Sequence, residues 1–99
     1  MEEQVRLKAE EKTIWTLSAL KPGHSAVIDH LALDGEERRR LMDLGLVPGT
    51  LVTAEFRSAL GDPVAYRIRG SLIALRKAQT RQIVIRPVEE QIDQEKVLL

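Results

Sequence analysis

The sequence predicts a mainly β fold, a small and partly closed barrel with one short helix set between its strands. Three features carry that reading. Five or six short runs are rich in β-branched residues, glycine or proline punctuates most of them, and a single helix-period segment is closed by a glycine. Ninety-nine residues hold one domain, and a chain of this size buries only about 60% of its unfolded surface, which leaves little core for a deep active site. One Trp, one Tyr and one Phe suit a narrow barrel with few large side chains inside.

The helix lies in RRRLMDLGLVPGT, residues 38–50. Asp34 is placed to cap it, with Glu37 reaching back three residues later, and Glu36 and Glu37 suit the positive end of the helix dipole. Leu41 and Leu44, three apart and flanked by Met42, form the stripe expected to be buried, while Arg38, Arg39 and Asp43 stay in water. Gly45 supplies the left-handed residue that ends a helix, and Leu46 falls where the accompanying apolar contact is made. In Val47-Pro48-Gly49-Thr50, proline presets one central residue and glycine accepts positive φ at the next, so a type II turn should lead into a strand.

The strands are placed by alternation. Residues 1–12 are a polar extension, 13–87 the domain and 88–99 a tail in which Val88 and Ile92 could sit on one face of a short helix. Thr13 to Leu17 reads as a first strand, ended by the turn Leu20-Lys21-Pro22-Gly23. Ser25 to Leu31 follows, with Ala26, Ile28 and His30 on one face and Val27, Asp29 and Leu31 on the other. Val52, Ala54 and Phe56, then Val64, Tyr66 and Ile68, give the inward faces of a hairpin over residues 51–69 with a loop of about six residues. Gly70 marks a tight bend before the strand Ser71 to Arg76. Residues 77–82 make one helical turn, and Ile83 to Ile85 the last strand, stopped by Pro87.

Composition excludes much chemistry. Fifteen basic residues balance fifteen acidic ones, so the counterion release that drives general nucleic-acid binding has no net charge behind it. There is no cysteine, hence no disulfide, thiolate metal site or thiol nucleophile. The first residues are acidic and mixed, unlike a signal peptide, and apolar runs fall far short of the roughly 20 residues of a membrane span, so no direct membrane insertion is expected. His24 and His30 on one straight strand would stand roughly 20 Å apart, too far to share an ion, and Asp29 and His30, as neighbours, would point to opposite faces. The serines at 18, 25, 58 and 71 form no nucleophile elbow, and the glycines fit no phosphate loop. These residues point to no catalytic group, no metal and no cofactor.

Four blocks, LSALKPGHSAVI, RRRLMDLGLVPGT, LGDPVAYRIRGSLIALRK and IVIRP, occur in this order across residues 17–87. Together they resemble the ferrous iron transport protein A (FeoA) family, whose domain is a small SH3-like barrel. Thr80 stands where that family usually has alanine. The resemblance implies a cytoplasmic accessory protein working with the large ferrous iron transporter FeoB, a membrane protein with its own G-protein domain, and recruited to the inner membrane face by it. The same domain occurs at the C-terminus of metal-dependent repressors, but here no helix-turn-helix segment is expected ahead of it.

The partner-binding surface expected on these grounds is a cationic rim, Arg38 and Arg39, beside the corner Leu46, Val47 and Pro48, with the loop residues Leu60 and Asp62 as a second contact. The alternative is a stand-alone SH3-like regulatory domain that binds a metal-dependent repressor or another protein or peptide. Three aromatics, two of them on expected core faces, speak against an aromatic SH3 groove. A homo-oligomer formed through the tail is a further expectation.

Overall fold

The computed structural model describes residues 15–88. The extension 1–12 and all of the tail but Val88 lie outside them, as do Thr13 and Ile14 of the expected first strand. In order, the elements are β1 (Trp15–Thr16), a 3-10 turn (Leu17–Ala19), β2 (Ser25–Leu31), α1 (Gly35–Asp43), β3 (Leu51–Arg57), β4 (Val64–Ile68), β5 (Ser71–Leu75), α2 (Lys77–Thr80) and β6 (Ile83–Arg86). All six strands join one antiparallel sheet in the order β1-β6-β2-β3-β4-β5. Its ends, β1 and β5, do not pair with each other. The 3-10 turn packs on α2 and β6, so Leu17 enters the core from the open side.

One core fills the sheet's concave face: Leu17, Ala26, Ile28, Leu31, Leu41, Leu46, Val52, Ala54, Tyr66, Ile68, Leu75, Ile83 and Ile85. Most of these follow the expected alternation, but two bulges redirect the rest. In β2 the register slips between Ile28 and His30, leaving Asp29 as the extra residue. His30 therefore turns outward and Leu31 turns into the core, the reverse of the strict two-residue period. In β3 the slip falls between Ala54 and Phe56, and Phe56 is 55% exposed instead of inward.

The turns follow the chemistry of their residues. His24 N–H donates to Lys21 C=O at 3.0 Å across Pro22-Gly23, and β4 joins β5 through Arg69 and Gly70, both at positive φ. That pair of angles is the two-residue hairpin turn whose twist matches the sheet.

Candidate partner-binding surface

The helix end and the corner behind it are built by backbone hydrogen bonds. Gly45 N–H donates to Met42 C=O at 2.9 Å and Leu46 N–H to Leu41 C=O at 3.1 Å, the paired bonds of a Schellman cap. Gly45 has φ +108°, and a β-carbon there would lie 3.0 Å from Ile68 Cγ2 and 3.3 Å from Arg69 Cδ. Glycine is required twice over, by dihedral and by space. Thr50 N–H then donates to Val47 C=O at 3.1 Å with Gly49 at φ +92°, the expected turn. Two further bonds pin this turn to β2: Gly49 N–H to Ile28 C=O at 2.8 Å and Ile28 N–H to Thr50 C=O at 2.9 Å. These bonds tie the strand side of the corner to the sheet, while the Schellman cap ties its other side to the last turn of α1.

The cap decides which leucine faces water. Leu46 is fully buried, so it cannot present a contact to a partner; its place in the expected patch is corrected. Leu44, expected in the buried stripe, is 46% exposed instead. The helix ends before Leu44 completes a turn, and the Schellman fold brings Leu46 over Leu41 in its stead. Val47 is half-buried and Pro48 is exposed. Arg38 and Arg39 are exposed and line a shallow depression of about 530 Å³ with Leu33, Asp34, Met42 and Asp43.

At the other end of α1, Asp34 has the extended backbone of a capping residue but its side chain makes no cap hydrogen bond, and Glu37 does not reach back to it. Glu37 points to α2 instead: Gln79 Nε2 donates to Glu37 Oε2 at 2.8 Å, and Arg40 lies 3.8 Å from Glu37 Oε1. In α2 only half of a capping box forms: Arg76 N–H donates to Gln79 Oε1 at 3.1 Å, while Gln79 N–H returns to the Arg76 backbone C=O at 2.9 Å, since a guanidinium cannot accept.

Leu60 and Asp62 lie in the 58–63 loop, where Leu60 is 94% exposed. Asp62 Oδ1 accepts the Lys77 N–H at 2.9 Å, fastening the loop to the start of α2. The corner enters β3 at Leu51 and this loop leaves it at Arg57, so the two sets of residues stand at opposite ends of a seven-residue strand, roughly 20 Å of backbone apart. The link between them is α2, bonded to Asp62 on one side and to Glu37 on the other. Sequence pattern gave no hint of this bridge, because each half is a single polar contact across more than ten residues.

Asp29 and His30 meet instead of pointing apart. The bulge brings Asp29 Oδ2 to 2.7 Å from His30 Nδ1, while Arg86 Nε sits 3.4 Å from Asp29 Oδ1. The carboxylate is thus shared by two cation-capable groups, and among the described residues no three acidic or histidine side chains converge as metal ligands. His24 lies elsewhere, in an apolar groove of about 600 Å³ with Trp15, Leu20, Lys21, Pro87 and Val88. Trp15 and Phe56 are the exposed aromatics and Tyr66 is buried, a correction to the expected two in the core. On β1 and β3 they are separated by β6 and β2, about 14 Å at the usual strand spacing, and form no cluster.

Beneath β4, burial raises the Tyr66 phenol above the usual tyrosine range, opposed by a side-chain hydrogen bond with Thr80. Thr80 is itself buried, and its hydroxyl also donates to Lys77 C=O at 3.3 Å. The departure from alanine at this position thus places a buried hydroxyl near the one buried phenol.

A family model for the FeoA domain matches residues 15–87. The chain belongs to the FeoA family. The iron transport protein A/FeoB fusion protein of Porphyromonas gingivalis is 35% identical over 69 residues, which are 70% of this chain and 8% of that protein. This chain therefore spans a small part of that relative's length. The FeoA solution structure from Chlorobium tepidum is 36% identical and superimposes with a TM-score of 0.70, covering 74% of this chain and 70% of that one. The FeoA of Stenotrophomonas maltophilia, a prokaryotic SH3 domain protein crystallised with zinc, is 30% identical with a TM-score of 0.62, covering 71% and 87%. The FeoA fold here is thus the SH3-like one. Among the described residues no helix is long and apolar enough to cross a membrane.

Proposed function

We propose that this FeoA domain is a non-catalytic accessory module that docks on the cytoplasmic part of a FeoB-type ferrous iron transporter and modulates its activity. The observation that carries the reading is the fusion relative, in which a segment 35% identical to this one is covalently joined to the transporter. Tethering raises the effective concentration of one part near the other, which is useful where the two act together. Iron itself is the transporter's cargo.

The docking surface we assign is the corner as the structure builds it: Leu44, Val47 and Pro48 as the apolar centre and Arg38 and Arg39 as the cationic rim. Leu46 supports that surface from beneath. Exposed and half-buried aliphatic residues that follow a helix carrying exposed arginines suit an acidic protein surface, where the charges steer and orient the encounter. Leu60 and Asp62 form a separate contact that reaches the helix through α2. The SH3-peptide alternative has the Trp15 groove in its favour but lacks the aromatic cluster such grooves use.

Co-purification with the full-length cognate transporter from membranes tests the reading. Retention of this chain with the transporter is expected. Failure to co-purify, together with selective capture by proline-rich peptides, would transfer the assignment to the SH3-peptide alternative.

A further inference from the structure

β5 has one edge that no described residue covers. It pairs with β4 only, from Ser71 opposite Ile68 to Leu75 opposite Val64. The two-residue turn at Arg69 and Gly70 makes Ile68 and Ser71 the closing hydrogen-bonded pair. Alternation then makes Tyr66–Ile73 and Val64–Leu75 hydrogen-bonded pairs as well, which turns the N–H and C=O of Leu72 and Ala74 away from β4. The next outward donor, Arg76 N–H, is taken by Gln79 Oε1 at 3.1 Å, and Arg76 C=O accepts the N–H groups of Gln79 and Thr80. Two residues are left with four outward backbone groups. They sit on SLIAL, a strand without the charge, proline or bulge that usually protects an edge, and both Leu72 and Ala74 are exposed.

Charge decides what fits there. Antiparallel pairing of two copies through Leu72 and Ala74 centres on Ile73 and sets Arg69 of one copy against Lys77 of the other, twice, with Gly70 against Arg76. The strand's two ends are thus cationic, and a like strand meets like charge at both. Among the described residues, Arg69, Arg76 and Lys77 make no ion pair, whereas Arg67 on the neighbouring strand is held by Glu55 at 3.0 Å.

We propose that the free edge of β5 takes up an extended segment of another protein, with alternating aliphatic residues and acidic flanks. Backbone groups of Leu72 and Ala74 would hold its main chain, Leu72 would pack against its aliphatic face, and Arg69, Arg76 and Lys77 would meet its flanks. The strand edge at Leu72 and Ala74 is distinct from the helix corner, with Arg69, whose side chain lies against Gly45, bordering both; the test uses no transporter, so either assignment can fail alone.

The test is an NMR titration of the isotope-labelled full chain with a synthetic peptide of alternating valine and threonine bearing two glutamates at each end. The largest shifts and new exchange protection are expected at the Leu72 and Ala74 amides. Reversing two cations, Arg76→Glu with Lys77→Glu, should weaken binding about tenfold, in line with two surface charge pairs. Ala74→Pro should abolish it, because it deletes an outward N–H while leaving the ladder to β4 in place. Should that variant not fold, the charge reversal and the exchange map decide. Equal binding of a lysine-flanked peptide, shifts centred on the Trp15 groove, pairing of two copies through β5, or no binding would each overturn the proposal.

Discussion

Gly45 is the residue at which the path of the chain and the shape of the core set the same requirement. Alanine there must hold φ +108° and push against Ile68 Cγ2 at 3.0 Å, so Gly45→Ala should cost about 1–3 kcal/mol, read as a lower urea midpoint. The two leucines on either side of it should separate stability from binding. Leu46→Ala empties a fully buried site and should destabilise by about 2–5 kcal/mol, whereas Leu44→Ala should change stability by no more than about 0.5 kcal/mol and weaken partner binding. Tyr66 gives a prediction in pH. Its folded-state pKa is raised by burial, so the unfolded chain releases this proton first and folding stability falls as pH climbs through and above about 10. Tyr66→Phe should remove that part of the alkaline loss. As Tyr66 is the only tyrosine, its ultraviolet titration reports the group directly.

Elements were legible in the sequence where local chemistry determines them, and illegible where the sheet does. The Schellman cap, the Pro48-Gly49 turn, the hairpin loop and the bend at Gly70 could all be read from glycine and proline positions, because only those residues hold such dihedrals cheaply. Alternation found the strands but could not see their bulges. A single extra residue, Asp29 in β2 or Glu55 in β3, shifts the alternation behind it, which is why His30, Leu31 and Phe56 face the other way. The candidate surface was half legible for the same reason. Its arginines and Pro48 could be placed from the sequence, but the exchange of Leu46 for Leu44 depends on where the helix ends by a single residue. The four-residue α2 gains its fixed position from its contacts, being too short to be stable alone. Removing the Asp62 carboxylate with Asp62→Ala should therefore cost about 1 kcal/mol and speed hydrogen exchange at Lys77.

For the molecule as a whole, charge neutrality conceals a division. Residues 15–88 carry eleven Lys and Arg against seven Asp and Glu, and the acidic surplus that balances them lies in the two ends. The folded body is thus a cationic object of modest size, with exposed arginines on α1 and at both ends of β5. Such a body is steered toward acidic protein surfaces, and the attraction weakens as salt rises. A relative in which a segment similar to this chain is fused to FeoB supplies the candidate partner. The direct test is to titrate this chain onto full-length FeoB-type transporter in lipid nanodiscs, comparing the natural sequence with Arg38→Glu/Arg39→Glu. The docking account predicts saturable binding that falls about tenfold in the double variant and diminishes with salt. Absence of binding, or binding of equal strength by both proteins at every salt concentration, would contradict it.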